Sequence, residues 1–443
     1  MKHGFRFPRF RDWLWLAALA LSVDSIFAAT NLPPRYLALG PMLGEVSPGE
    51  ARIWAKASGR AVLTAKLSEN DNLENVVAEA ETSLLPAADY MGHVRLTGLK
   101  PATRYFYRLD LNGVPAMLPP YPSFTTAPEP GTRGRQRICF VSCVGRTAAD
   151  PAAAWADMAE RAPFDLLLML GDNHYADTTG AGGQRECYAE QRRLAGFRDV
   201  TRRVPVLAIW DDHDYGPNNS DGTASGKQLS LRTFKEHWAN PAYGQEDDPG
   251  VYFKFTRGDV DFFMLDVRYN RSPNHSADDP PGTKTMLGKK QLAWFKRELA
   301  ASRATVKLVA SGSEWQPAGH IDSWTSFARE RDEIFAWIET NALQGVILLS
   351  GDRHFTGGYH IRGKLIEFTS GPLGAKNYAT KNLPGMFYNE GAGKLYSVLE
   401  IDTGAAEPQV TLEVYRAGEG LIHRQPFSWA QVNGREPIPL LNR

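Results

Sequence analysis

"VPVLAIWDDHDYGPNN", residues 204–219, sets an apolar run directly against four closely spaced titratable groups, Asp211, Asp212, His213 and Asp214. Val204 to Ile209 reads as a short strand buried on both faces, the form taken by a sheet strand covered by helices. Carboxylates this close repel one another and resist burial unless a cation or a solvated turn takes up their charge. Taken alone the segment is ambiguous, because aspartate after a strand is an ordinary helix N-cap or turn former. Repetition removes the ambiguity. "ICFVSC" (138–143) ends at Cys143, "FDLLLMLGD" (164–172) at Asp172, "VDFFMLD" (260–266) at Asp266 and "GVILLSGD" (345–352) at Asp352. In α/β sheets such ends face one crevice beyond the carboxyl edge of the strands, where ligands bind.

Working outward, these runs and "TVKLVAS" (305–311) and "KLIEFTS" (364–370) alternate with amphipathic stretches such as "PAAAWADMAERA" (151–162), "KKQLAWFKRELAAS" (289–302) and "SFARERDEIFAWIETN" (326–341). That alternation predicts an α/β layered domain, β-sheets covered by helices, over residues 129–443. "ADTTGAGGQRECY" (176–188), "GPNNSDGTASGKQ" (216–228) and "PNHSADDPPGTK" (273–284) read as loops around the strand ends. Residues 30–128 read as a small all-β domain, with "EARIWAKA", "AVLTAKLSE" and "HVRLTGL" separated by turn residues. "LTGLKPATRYFYRLDLNG" followed by "PSFTTAP" resembles the last hairpin of a fibronectin type III-like sandwich, a corner tyrosine included. "APEPGTRGRQR" (127–137) is the linker.

Lys plus Arg total 50 and Asp plus Glu total 50 in 443 residues, so net charge is zero and gives no electrostatic footprint for nucleic acid. The opening "MKHGFRFPRFRDWLWLAALALSVDSIFAA" (1–29) puts Lys2, Arg6, Arg9 and Arg11 before the apolar run Trp13 to Val23, with Ala28 and Ala29 after it. This is the layout of a cleaved export signal, and Asp24 cuts the run short for a membrane span. No adjacent arginine pair marks a twin-arginine signal. The mature chain is expected to be a periplasmic or secreted monomer without a membrane span. Cys139, Cys143 and Cys187 are an odd number, so at least one is free, ligating or intermolecular.

The ordered set "SC" (142–143), "GDNHY" (171–175), "WDDHD" (210–214), "LDVRYNR" (265–271), "SGDRH" (350–354) and "EFTSGPL" (367–373) resembles the PhoD-like alkaline phosphatases, a branch of the calcineurin-like metallophosphoesterases. The resemblance covers about residues 35–400. It implies an exported enzyme that hydrolyses small-molecule phosphate monoesters at alkaline pH by in-line attack of metal-activated oxygen. A phosphodiesterase of phospholipase D type is the rival within the class, and a calcium-stabilised exported binding protein the rival outside it. The binding-protein reading leaves His213, Cys143 and Tyr175 without a role.

By the same resemblance Cys143, Asp172, Tyr175 and His354 hold a first metal, with Asp172 bridging to a second. Thiolate and phenolate suit ferric iron, and zinc also fits the ligand types. Asp172, Asp212 and Asp352 offer oxygens to a hard cation, for which calcium is the family precedent, and Asn219 is a further ligand. His213 matches the position that protonates the leaving group, and a carboxylate neighbour such as Asp214 favours its charged form. Asp211 is a structural partner. Arg268 and Arg353 offer guanidinium forks to phosphate oxygens. Asn173 and His174 depart from residues common in the family motif. Pairing of Cys139 with Cys187 would leave Cys143 free to ligate.

Overall fold

Between Leu37 and Thr125 the sequence alternates apolar and polar residues over short runs, and in the computed structural model the regular elements of this stretch are strands, apart from one short helical turn at Pro86–Ala88. The structure describes Met1 and residues 35–442, apart from 148, 162–163, 317–319 and 379–380. The export signal expected over 1–29 therefore lies, beyond Met1, outside the described residues. Leu37–Val46, Glu50–Ala57 and Met91–Thr97 form one antiparallel sheet. Ala78–Leu84, Ala61–Ser68, Arg104–Leu111 and Val114–Pro115 form a second, with Ser123–Thr125 also paired to Arg104–Leu111. Inward-facing Ile53, Leu63, Val94, Tyr105, Tyr107 and Leu109 fill the space between them. The Tyr105 hydroxyl accepts from the Lys100 amide at 3.0 Å, which is the tyrosine-corner bond of such sandwiches.

This all-β region is fastened to the rest of the chain by specific bonds. Met42, Trp54 and Met91 share a core with the α/β region. The Trp54 indole donates to the Glu236 carbonyl and the Tyr107 hydroxyl to that of Arg202, each at 2.8 Å.

Two further sheets build the α/β domain. In one, Val206–Ile209, Leu166–Leu170 and Arg135–Val141 run parallel, and the antiparallel strands Leu395–Asp402, Gln409–Arg416 and Gly420–Phe427 extend it. In the other, Val260–Met264, Val306–Ala310, Val346–Ser350 and Leu365–Thr369 run parallel, flanked by the antiparallel Phe253–Arg257, Thr356–Ile361 and Met386–Glu390. Alternate residues of the second sheet divide between two cores. Val260, Phe262, Leu308 and Ile347 join Ile138, Leu167 and Ile209 of the first sheet, whereas Phe263, Val309 and Leu348 pack with Phe295 and Ile334 of the helices Lys289–Ala301 and Ala328–Thr340. Both faces of these strands are dry, which is why they read as unbroken apolar runs.

The parallel strands of both sheets end on the same edge, so Cys143, Asp172, Asp212 and Asp352 follow their last residues into one region. Gly171 makes one of these turns possible: it has φ +103°, and a Cβ there would lie 2.7 Å from the Asp211 amide nitrogen. Two expectations change at this level. The stretch 176–188, expected as loop, turns into the helix Ala181–Arg193. Cys139 and Cys187 are not paired; all three cysteines are free, Cys139 buried within its strand and Cys187 half-buried on that helix. No helix of the described residues is long and apolar enough to cross a membrane.

Candidate metal centre

Cys143, Asp172 and His354 present ligand atoms all within 4.8 Å of one another, and so do Asp172, Asp212 and His213, and Asp211, Asp212 and Asp352. The three groups overlap at Asp172 and Asp212, which is the arrangement two neighbouring cations with a bridging carboxylate require. The backbone is bent to achieve it. Cys143, Asp172, Asn219, Asp352 and His354 all have φ between +51° and +70°. Non-glycine residues adopt this region at a cost, and they hold it where surrounding structure imposes it, as at ligand clamps.

The first group is bonded as a cluster. Asp172 Oδ2 lies 3.2 Å from the Tyr175 hydroxyl and 3.6 Å from Cys143 Sγ. The Tyr175 hydroxyl is 3.0 Å from His354 Nε2, and His354 Nδ1 lies 2.6 Å from the Lys376 carbonyl. A carbonyl only accepts, so Nδ1 carries the proton and Nε2 keeps its lone pair towards Tyr175, the usual tautomer of a metal-ligating histidine. Burial, reinforced by the Asp172 carboxylate, pushes both the Cys143 thiol and the Tyr175 phenol well above their ordinary ranges.

The second group consists of oxygens. Asp212 Oδ2 accepts from the Asn219 amide at 2.7 Å, and Asn219 lines the same cavity of about 510 Å³ as Asp212, Asp352 and His354. Burial, followed by the neighbouring aspartates, raises Asp172 and Asp352 well above the carboxylate range. Asp172 Oδ1, Asp212 Oδ1 and Asp352 Oδ2 are buried without hydrogen-bond partners among the described residues. Mutually repelling acids with orphaned oxygens are what a multivalent cation reverses, so this donor set fits bound metal. Thiol, phenol, imidazole and carboxylate on one side, and carboxylates on the other, suit two ions of different hardness.

Two expected residues meet other partners. Asp214 does not partner His213: its carboxylate accepts from the Asp211 amide at 2.8 Å and the Asn173 side-chain amide at 2.5 Å, and burial lifts it to about 8. His213 Nδ1 instead contacts Asp177 Oδ1, and Arg146 Nη1 holds the other Asp177 oxygen at 2.7 Å. Arg268, expected to clamp phosphate, is fully buried. It donates to Asp211 Oδ1 at 2.5 Å and to Asp322 at 2.7 and 3.1 Å, so its fork is saturated by the protein's own acids. Arg353 does line the cavity, with its Nε 3.2 Å from buried Glu314 Oε2.

Asp177, Glu314, Asp322 and His320, which lines the cavity with Nδ1 3.9 Å from Asp352 Oδ2, were missed from sequence. Glu314 carried a usable signal, since "TVKLVASGSE" is another strand running into a carboxylate; the others sit in loops with no periodicity to mark them.

Paired sheets whose carboxyl edges gather these ligands define a class, the metallophosphoesterases. Residues 138–429 match the PhoD-like phosphatase family and residues 25–128 its N-terminal domain, and the chain belongs to that family. It is similar to alkaline phosphatase D of Bacillus subtilis (strain 168), 24% identical over 412 residues that cover 82% of this chain and 67% of that protein. It is similar also to purple acid phosphatase 23 of Arabidopsis thaliana, 27% identical over 344 residues, 72% of this chain and 66% of that one. The chain thus spans about two thirds of the length of these relatives. A solved structure of PhoD superposes with TM-score 0.76 at 18% identity, covering 91% of this chain and 92% of that chain. Purple acid phosphatase PPD1 from yellow lupin (Lupinus luteus) seeds gives 0.64 at 14%, covering 91% and 77%; both likenesses speak to the fold. The protein is a phosphoesterase, a hydrolase.

Proposed function

We propose that this phosphoesterase is an exported alkaline phosphatase that hydrolyses phosphate monoesters and holds ferric iron beside calcium. The observation that carries the reading is the unequal donor set around Asp172: Cys143, Tyr175 and His354 on one side, and Asp212 and Asp352 on the other, with Asn219 on the same cavity. Bound metals would supply Lewis acidity and charge for phosphoryl transfer. Arg353, braced by Glu314, directs donors at the phosphate oxygens. His213 has Nδ1 engaged by Asp177, which fixes the ring and leaves Nε2 to deliver a proton to the departing oxygen. Export rests on the charged, apolar and small-residue order of residues 1–29.

The test compares hydrolysis of a chromogenic phosphate monoester and its diester by the mature protein with calcium and ferric iron present, then after chelation. A faster monoester, lost on chelation, is expected. A faster diester would move the reading to a phosphodiesterase, and metal-independent turnover would overturn the metal assignment.

The role of His213 has its own test. Asp177→Asn is expected to lower kcat about 10- to 100-fold, in the range for loss of an orienting partner. The loss should be larger for esters with poor leaving groups, which depend most on the proton. Equal losses across a leaving-group series would show that Asp177 serves only the fold.

A further inference from the structure

The lining of the catalytic cavity is mixed. It includes the polar Asp212, His213 and Asp352 and also Phe355, Tyr378 and Leu383. Tyr378 is 56% exposed, yet its position is tightly set. Its ring lies parallel to that of His354, with centroids 4.8 Å apart and an interplanar angle of 7°. The Tyr378 amide donates to the His354 carbonyl at 3.3 Å, and His354 Nδ1 donates to the Lys376 carbonyl at 2.6 Å. The segment 376–378 is therefore tied to His354 by ring and by backbone. One surface of the tyrosine is used in this attachment, and its exposure leaves the rest of the ring uncovered at the cavity.

A flat ring, fixed in orientation and open to the cavity that Arg353 lines, gives planar aromatic groups a stacking surface whose conformational cost is already met. Lys381 and Arg353 line the same cavity, so the ring stands beside cations suited to an anionic substrate. We infer that Tyr378 is a stacking platform for an aromatic ring on the leaving group, and that the enzyme favours phosphate esters of nucleoside-like alcohols over those of plain sugar alcohols. The inference rests on the monoester reading of the same site. Tyr378 is on this account a specificity-determining residue. If it only braced His354, its removal would weaken all substrates alike.

The experiment uses the full metal-loaded protein and two esters with the same kind of leaving oxygen, adenosine 5′-monophosphate and ribose 5-phosphate. Tyr378→Ala should raise KM for the nucleotide about tenfold more than it raises KM for the sugar phosphate, a typical loss for one base–aromatic stack. Tyr378→Phe should keep the wild-type ratio. In parallel, calorimetry with adenosine and ribose, which carry no phosphate to hydrolyse, should show adenosine binding more tightly to the wild type and losing that advantage in Tyr378→Ala. Adenosine binding no tighter than ribose, or a Tyr378→Ala effect equal on both esters, overturns the inference. If neither ester is hydrolysed while the calorimetric preference stands and depends on Tyr378, the monoester reading fails and the platform remains.

Discussion

Asp172→Asn is expected to reduce turnover by roughly a thousandfold or more, the scale of removing a charged group from a catalytic centre that acts as a unit, while making the metal-free chain more stable. Asp172 is 1% exposed, and its Oδ2 lies within reach of both Tyr175 and Cys143 while Oδ1 has no partner among the described residues. It belongs to two of the three overlapping ligand groups, so its loss strikes both. Asparagine keeps the shape and tolerates the φ of +51°, which isolates the effect of charge. Metal content measured on the purified variant should fall with the activity.

The stability effect has the opposite sign. Burial, then Asp212 and the other aspartates around it, raises the Asp172 carboxyl well above its ordinary value in the folded chain. Without metal, the folded state therefore binds this proton more tightly than the unfolded state. The resulting stabilisation is present below the ordinary carboxylate range and is lost as pH rises through the folded value. Asparagine removes that penalty, so the variant should melt above the chelated wild type at neutral and alkaline pH, with the gap closing towards about pH 4. A metal-free variant no more stable than the chelated wild type at any pH would show that the acidic cluster carries no electrostatic strain.

Arg268→Met should cost about 3–5 kcal/mol of folding stability, the range for breaking a buried ion pair from one side. Arg268, Asp211 and Asp322 are all fully buried, and Arg271 shares the Asp322 carboxylate at 2.8 Å. Burial lifts Asp211 to about 6 even with Arg268 against it. Methionine fills much of the space, strands Asp211 and leaves Asp322 with Arg271 alone as its cation. Arg268→Lys should be intermediate, because an ammonium cannot reproduce the fork that reaches both carboxylates. Urea denaturation should show a lower midpoint with unchanged slope. A phosphate clamp would behave otherwise, with stability kept and KM raised, and that outcome would restore the role the motif suggested. Arg268 Nη2 is also 3.8 Å from Asp212 Oδ1, so its removal should disturb the neighbouring ligand group.

The local sequence determined much of this protein. Strands such as Leu166–Leu170 and Val346–Ser350 are dry on both faces, and burial of that kind can only be written as a continuous apolar run, which no distant residue alters. Their endings are equally local, so Asp172, Asp212 and Asp352 announced themselves where strand gave way to charge. Edge strands did not. Phe253–Arg257 and Gly420–Phe427 mix apolar and polar residues because one side meets solvent or the chain turns back, and they have no run to recognise.

What the tertiary structure alone decided is who pairs with whom. His213 has Asp214 beside it in sequence but meets Asp177, because the four-residue helix Asp212–Tyr215 turns the Asp214 side chain back onto the Asp211 amide and Asn173. Arg268 stands in a motif that suggests phosphate, yet Asp322, remote in the chain, arrives to neutralise it. Tyr378 follows the loop 371–377, which carries no periodicity, and its seat on His354 holds it at the cavity. Burial patterns are carried by neighbours along the chain; charge pairing depends on distances between elements, and a guanidinium is satisfied by whichever acid the packing of two sheets brings within 3 Å.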